Sequence, residues 1–320
     1  MRRPRVILSD IRANRKDEDP EKMDFLMKTI KAVHSSATNP SAVTAEELEK
    51  QRANVDTFSR LVTPVKVVTE ESVMIEGINC EWVRPSFAHR TDKIILYCHG
   101  GGYISGGLGY ARILAAKLAS ITGYEVVSFE YRLSPENRFP AAIEDATVVW
   151  NHLMYLGYGA GDVIVAGDSA GGNLALEMCF GLREQNRLMP RALILFSPWT
   201  DMTCTNNSYK TYKDKDPLLT MEYIMSARNA YAGADADFEA DCYSPLYGNL
   251  SHMPPTLIQV GSNEILRDDS ERMAKRYNKC GSYAKLEVYS GGWHVFQQMP
   301  IHKASEALTN VKIFLDEVIR

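Results

Sequence analysis

The spacing of hydrophobic residues along the chain changes near residue 60. Before that point apolar residues recur at helical intervals in two segments. The first segment contains Phe25, Leu26, Ile30 and Val33, and the second contains Leu48, Val55 and Phe58. Thr44-Ala-Glu-Glu47 has the capping-box pattern, in which a threonine and a glutamate satisfy backbone N–H groups at a helix start. We therefore predict two helices within residues 1–60.

Short β-branched runs alternate with helical patterns in the rest of the chain. The predicted strands comprise 65–68, 73–75, 81–83, 93–98, 125–129, 162–166, 191–196, 256–260 and 286–289. Strands separated by helices pair in parallel through right-handed crossovers, so residues 61–320 predict an α/β fold with a doubly wound, mostly parallel sheet. Residues 200–250 are too long for an ordinary connection and predict an insertion or a lid.

The composition fits one large globular domain and limits the partners of the protein. The 320 residues are 45% hydrophobic and 24% charged, with a formal net charge of -4. Such a chain offers no basic surface to nucleic acid or to an anionic membrane, so a small-molecule partner is expected. The sequence has no apolar run of about 18 residues, and Val6-Ile-Leu8 is too short for the core of a signal peptide. We expect no membrane span and a cytoplasmic location.

A serine lies between a predicted strand and a predicted helix. Gly167-Asp-Ser-Ala-Gly171 matches G-x-S-x-G, which in this context indicates a nucleophile elbow. Side chains in place of the two glycines would strike the neighbouring strand and helix. The turn also directs the Ala170 N–H, at the start of the helix, towards an oxyanion. The alternative is an ordinary glycine-rich turn of a nucleotide-binding fold.

A second glycine-rich segment, His99-Gly-Gly-Gly-Tyr103, follows the predicted strand 93–98. It matches the HGGG-type loop that supplies further oxyanion donors, which acyl transfer needs because negative charge develops on the carbonyl oxygen. A phosphate-binding loop is the competing interpretation. It is disfavoured because no Lys-Ser or Lys-Thr follows Gly106 and no G-x-G-x-x-G spacing is present.

A base and an acid are expected on the last two loops that follow strands. His294 follows the last predicted strand, where a hydrolase of this chain order carries its base. The preceding loop offers Glu264, Asp268 and Asp269 as the acid that holds the imidazole. Glu264 is preferred because it is nearest the strand end, and Asp268 is the second choice, since it falls in the first turn of a helix.

Several motifs occur in the order found in one family. They are HGGGY at 99–103, YRLSPENRFPAAIED at 131–145, GDSAGGN at 167–173, SPWTD at 197–201, EILRD at 264–268 and WHVF at 293–296. The chain resembles the hormone-sensitive-lipase-like carboxylesterases of the α/β-hydrolase superfamily, which include arylacetamide deacetylase. It departs from the family in having Glu264-Ile265 where aspartate and proline are common, and Val295 where glycine is common.

The resemblance implies an α/β-hydrolase fold with a helical cap made of residues 1–60 and about 200–235. It implies Ser169 as nucleophile, His294 as base and Glu264 as acid. Gly101, Gly102 and Ala170 would be the oxyanion donors. Candidate substrate-binding residues are Tyr103, Leu218, Leu219, Met221 and Tyr223.

The expected function is a serine carboxylesterase that hydrolyses short- to medium-chain acyl esters through an acyl-enzyme. Neither a metal nor an organic cofactor is expected. The alternatives are a deacetylase or amidase with the same triad, or a non-catalytic receptor of the same fold, as in the plant gibberellin receptors. A homodimer formed through the last strand and the C-terminal helix is also expected.

Overall fold

The computed structural model describes residues 8–11, 44–61, 65 and 67–319, of which 8–11 are described by their backbone alone. Of the two helices predicted in residues 1–60, the first lies outside these residues. The second is present as α1 (Ala45–Leu61). Its predicted capping box is present as well, since the Glu47 N–H donates to Thr44 Oγ1 (3.2 Å) and the Thr44 N–H donates to Glu47 Oε2 (3.0 Å).

The nine strands of the described chain form a single sheet in the order β1-β9-β8-β7-β6-β4-β5-β3-β2. They are β1 (Leu8–Ile11), β2 (Val68–Ile75), β3 (Ile78–Pro85), β4 (Ile94–Cys98), β5 (Glu125–Phe129), β6 (Val163–Asp168), β7 (Ala192–Phe196), β8 (Thr256–Gly261) and β9 (Ala284–Tyr289). Strand β3 pairs antiparallel with β2 and β5, and the remaining pairs are parallel. The prediction of a mostly parallel sheet is confirmed.

Helices cover both faces of the sheet. After α1 they are α2 (Leu108–Thr122), α3 (Ala141–Tyr155), α4 (Ala170–Glu184), α5 (Ser208–Thr211), α6 (Met221–Ala232), α7 (Arg267–Lys279) and α8 (His302–Val318). In β4, Ile94 and Leu96 pack on the side of α3, α4 and α7, whereas Ile95 and Tyr97 pack on the side of α2 and α8. This alternation buries every residue of β4, as expected for a parallel strand between two helical layers.

Strand β1 is a feature that the sequence analysis missed. Residues 1–60 were predicted to contain only helices, yet Leu8–Ile11 pairs in parallel with β9. A four-residue strand is too short to show a periodic pattern. The expected homodimer required β9, the last strand, to be a free edge of the sheet. Because β1 pairs with the outer side of β9, that edge is not free.

None of the helices in the described residues is both long enough and apolar enough to cross a membrane.

Candidate active site

Ser169 lies on the sharp turn between β6 and α4. Its backbone has φ 52° and ψ -118°, a left-handed conformation that is strained for a residue with a side chain. A Cβ on Gly167 would lie 2.3 Å from the Gly171 carbonyl oxygen, and one on Gly171 would lie 2.0 Å from the Cys98 carbonyl oxygen. Both glycines are therefore required for the close approach of strand and helix, and the turn has the geometry of a nucleophile elbow.

The loop after β4 brings glycine N–H groups to the same end of the sheet. Gly101 and Gly102 have φ values of 112° and 64°, and a Cβ on Gly101 would lie 2.2 Å from the Ser105 carbonyl oxygen. Within the described chain, the N–H groups of Gly101, Gly102 and Ala170 donate to no protein acceptor. Three free donors near a nucleophile can stabilise an oxyanion.

Asp168 connects the serine turn to the glycine loop. Its buried carboxylate accepts hydrogen bonds from the Gly100 N–H (2.8 Å), the Tyr97 hydroxyl (2.5 Å) and the Tyr110 hydroxyl (2.7 Å). Burial raises the pKa of Asp168, while these donors lower it. The sequence analysis missed this role because Asp168 occupies the unspecified position of G-x-S-x-G.

His294 and Glu264 form a buried pair at the ends of β9 and β8. His294 is 5% exposed and Glu264 is 0% exposed, and His294 Nδ1 lies 3.4 Å from Glu264 Oε2. The second candidate acid, Asp268, instead accepts a hydrogen bond from the Ser208 N–H at 2.8 Å. Asp269 likewise accepts hydrogen bonds from backbone N–H groups of the loop after β7. The structure thus brings Glu264, and not the two aspartates, next to the histidine.

Ser197 holds the acid and the histidine loop together. Its hydroxyl donates to Glu264 Oε2 (2.9 Å) and accepts a hydrogen bond from the Val295 N–H (3.2 Å). Sequence reasoning did not assign Ser197 a role, although it is the first residue of the SPWTD motif. The available signal was its position: Ser197 lies at the carboxyl end of β7, which pairs with β8, the strand that precedes Glu264.

Burial sets the protonation of the buried pair. Desolvation lowers the pKa of His294, and the nearby carboxylates of Asp216 and Asp168 oppose this shift. Desolvation also raises the pKa of Glu264, which the Ser197 hydroxyl and the Arg267 guanidinium oppose. The imidazole is therefore kept neutral, as a general base must be before it accepts a proton.

Ser169 and His294 line the same cavity, whose volume is about 50 Å³. The other lining residues are Gln51, Val55, Gly101, Ser105, Tyr110, Leu218, Leu219, Tyr223, Val295 and Gln298. Three of the candidate substrate-binding residues, Leu218, Leu219 and Tyr223, are thus part of the wall.

The other two candidates, Tyr103 and Met221, are not among the residues that line this cavity. The Tyr103 ring stacks on Tyr231 with 3.8 Å between centroids, and its hydroxyl donates to Asn173 Oδ1 at 2.6 Å. Met221, at the start of α6, packs against the core cluster on the side of α3 and α4. Tyr103 therefore links the end of the glycine loop to α4 and α6.

The described residues contain no group of three or more histidine, cysteine, aspartate or glutamate side chains that could hold a metal ion.

The sheet order, the serine turn after β6 and the histidine loop after β9 define the class of α/β-hydrolases. A family described as alpha/beta hydrolase fold matches residues 95–298. An esterase of Acinetobacter venetianus is 33% identical over 265 residues, which cover 82% of this chain and 87% of the relative. An acetyl-hydrolase of Streptomyces hygroscopicus is 35% identical over 251 residues, which cover 78% of this chain and 83% of the relative.

Solved structures agree with these relatives. An esterase from the bacterial hormone-sensitive lipase family is similar with a TM-score of 0.85 and 30% sequence identity, over 95% of this chain and 100% of that chain. The chain belongs to the hormone-sensitive-lipase-like carboxylesterases of the α/β-hydrolase superfamily. It is a carboxylic ester hydrolase, and the amidase and receptor alternatives are not favoured by these relatives.

Proposed function

We propose that this enzyme hydrolyses esters of short acyl groups through a covalent acyl-enzyme on Ser169. In this proposal His294 is the base, Glu264 orients it, and the N–H groups of Gly101, Gly102 and Ala170 form the oxyanion hole. One observation carries the proposal. The strained serine and the buried histidine face one small cavity, beside backbone donors that have no acceptor among the described residues.

The proposed reaction uses the two imidazole nitrogens differently. Nδ1 of His294 faces Glu264, so Nε2 is left to accept the proton of the Ser169 hydroxyl as its oxygen attacks the ester carbonyl carbon. The oxyanion that forms is stabilised by the backbone donors. The imidazolium then protonates the departing alcohol, and the acyl group remains on the serine. Water, deprotonated by the same nitrogen, releases the acid and restores the enzyme.

The cavity supports a preference for short acyl groups. A volume of about 50 Å³ corresponds to a few water molecules at roughly 10–15 Å³ each. An acetyl or propionyl group fits such a space, whereas an octanoyl group requires its apolar wall of Val55, Leu218 and Leu219 to move. The relative named acetyl-hydrolase supports the same substrate class.

A series of 4-nitrophenyl esters tests the acyl preference. We expect kcat/KM to be highest for acetyl or propionyl esters and to fall at octanoyl. Leu219→Ala should raise the octanoyl-to-acetyl ratio of kcat/KM by about 10-fold, because it removes three carbons from the wall. Leu188→Ala is the control, since Leu188 is 78% exposed and lies outside the cavity wall. An octanoyl optimum in the wild type would overturn the proposed acyl preference.

The pH dependence tests the assignment of His294 as base. Because only neutral imidazole accepts the serine proton, the acid limb of kcat/KM reports the pKa of His294 in the free enzyme. Desolvation lowers this pKa from the ordinary value of 6.5. We therefore expect an acid limb with an apparent pKa below 6.5, measured on an uncharged acetyl ester. A limb above that value would show that another group controls the rate.

We also propose that α1 and residues of about 200–235 form a helical cap over the core; of the segment 1–60, residues Leu8–Ile11 belong to the sheet instead. Two cavity residues come from α1 and three from the segment 200–235, which supports this division. Arg52 of α1 donates to the Ile104 carbonyl at 2.9 Å and pairs with Glu136 at 2.8 Å. The first of these contacts holds α1 against the end of the glycine loop.

The location and the assembly state also belong to this proposal. A cytoplasmic location is supported by six free cysteines, a state that a reducing compartment maintains. The homodimer we propose uses the outer side of helix α8, where Ile313 is 46% exposed, since β9 is covered by β1. Light scattering of the purified protein would distinguish a dimer from a monomer.

A further inference from the structure

A third carboxylate, Asp216, lies beside His294 and Glu264. It is 7% exposed and belongs to the segment between α5 and α6, which the sequence analysis treated only as part of an insertion. Within the described chain, Asp216 has no lysine or arginine within ion-pair distance. A buried carboxylate without a cationic partner is costly, so the groups that face it are informative about its role.

Asp216 joins the cavity wall to the acid loop. Its Oδ1 accepts hydrogen bonds from the N–H groups of Leu218 (3.0 Å) and Leu219 (3.1 Å), and both of these residues line the cavity. Its Oδ2 accepts a hydrogen bond from the N–H of Ile265 (3.0 Å), the residue that follows Glu264. One side chain thus fixes the position of the pocket wall relative to the acid.

The charged groups near Asp216 give it an electrostatic role as well. The pKa of Asp216 is raised to about 6, chiefly by burial; His294 and the backbone donors lower it, and the carboxyl of Glu264 raises it. Three backbone N–H groups donate to the oxygens of Asp216, and hydrogen bonds of this kind favour the ionised form of a carboxyl group. The carboxylates of Asp216 and Asp168 both favour the protonated form of His294.

We propose that Asp216 is a positioning residue for the catalytic pair: it holds the Glu264 loop against the cavity wall and supplies negative charge that stabilises the imidazolium of His294. This inference rests on the proposed function. Imidazolium forms when Ser169 attacks and disappears when the alcohol leaves, so a fixed negative charge beside it favours the transition state. A purely structural aspartate would hold the loop without affecting the basicity of the histidine.

Asp216→Asn separates the two roles. It keeps the size of the side chain but removes the charge and one acceptor oxygen. We expect kcat/KM to fall by about 10- to 100-fold, because a small displacement of the acid loop misaligns the base. We also expect the acid limb of the pH profile to move to lower pH, because the His294 imidazolium loses a stabilising charge. Asp216→Glu, which keeps the charge, should lower kcat yet leave the acid limb at its wild-type position.

Asp269→Asn is the matched control. Asp269 is also buried and accepts hydrogen bonds from the N–H groups of Thr200 and Asp201, but it is not among the groups that shift the pKa of His294. In Asp269→Asn the acid limb of the pH profile should stay at its wild-type position. Asp216→Ser provides a second neutral variant if the asparagine variant does not fold, as judged by thermal unfolding.

Two outcomes would overturn the inference without affecting the proposed function. If folded Asp216→Asn or Asp216→Ser kept the acid limb of the wild-type pH profile, Asp216 would have only a structural role. If such a variant kept the wild-type kcat/KM, Asp216 would not position the catalytic pair. Failure of the proposed function looks different, because the wild type itself would then show no ester hydrolysis or would keep its activity in Ser169→Ala.

Discussion

Replacement of Ser169 by alanine is expected to lower kcat for an acetyl ester by about 10⁶-fold. The variant lacks the oxygen that forms the acyl-enzyme, and His294 then has no nucleophile to activate. Only the contributions of the oxyanion donors and of substrate binding remain. The measurement is 4-nitrophenyl acetate hydrolysis at saturating substrate, with uncatalysed hydrolysis subtracted.

The control for this variant is Ser305→Ala, because Ser305 lies on an exposed position of α8. It should hydrolyse the ester at the wild-type rate. The stability of Ser169→Ala is expected to be close to that of the wild type, since Ser169 is the N-cap of α4 but its side chain makes no capping hydrogen bond. A folded Ser169→Ala variant with more than a small fraction of wild-type activity would remove Ser169 from the mechanism.

Glu264→Gln is expected to produce the second-largest loss, about 10⁴-fold in kcat. Glutamine has nearly the same shape but carries no charge, so it neither stabilises the imidazolium nor reliably holds the tautomer with the proton on Nδ1. The rate of ester hydrolysis at saturating substrate gives this number directly. The pH profile of kcat/KM adds a check. Its acid limb should still be present in Glu264→Gln, because the proposed base, His294, is unchanged in this variant.

Asp268→Asn is the matched control for the acid. Asp268 accepts a hydrogen bond from the N–H of Ser208 and does not contact His294. The Asp268→Asn variant should therefore keep kcat within about 10-fold of the wild type. If Asp268→Asn lost more activity than Glu264→Gln, the assignment of Glu264 as the acid would be wrong.

The core of the sheet could be predicted from sequence for a physical reason. Parallel strands between two helical layers are buried on both faces, so strands such as β4 and β7 appear as continuous apolar runs. Strand β1 could not be found in this way. It has only four residues at the sheet edge, and its partner β9 lies more than 270 positions later in the sequence.

The candidate site was predicted only where chemistry follows a local motif. Ser169 and His294 each follow a strand within a recognisable segment. Asp168 and Asp216 act through contacts that no local pattern encodes: Asp168 accepts from a tyrosine 71 positions away, and Asp216 accepts from an N–H 49 positions away. Their partners are known only once the chain has folded.

Tyr103 shows a different limit of sequence reasoning. It follows the glycine loop directly, which suggested a place in the substrate pocket. Its backbone φ of 64° instead belongs to a turn that buries the ring, which stacks on Tyr231 and is not part of the cavity wall. Side-chain direction after several left-handed residues depends on backbone dihedrals that residue types alone do not fix.

In the proposed reaction, Ser169 forms a covalent bond to the carbonyl carbon of the substrate. Mass spectrometry of the protein after reaction with a fluorophosphonate, which traps activated serines, followed by peptide mapping, tests for this bond. We expect one adduct per chain, located on Ser169, with labelling strongly reduced in a His294→Ala variant. An adduct on a different residue, or no adduct on a preparation that hydrolyses esters, would contradict it.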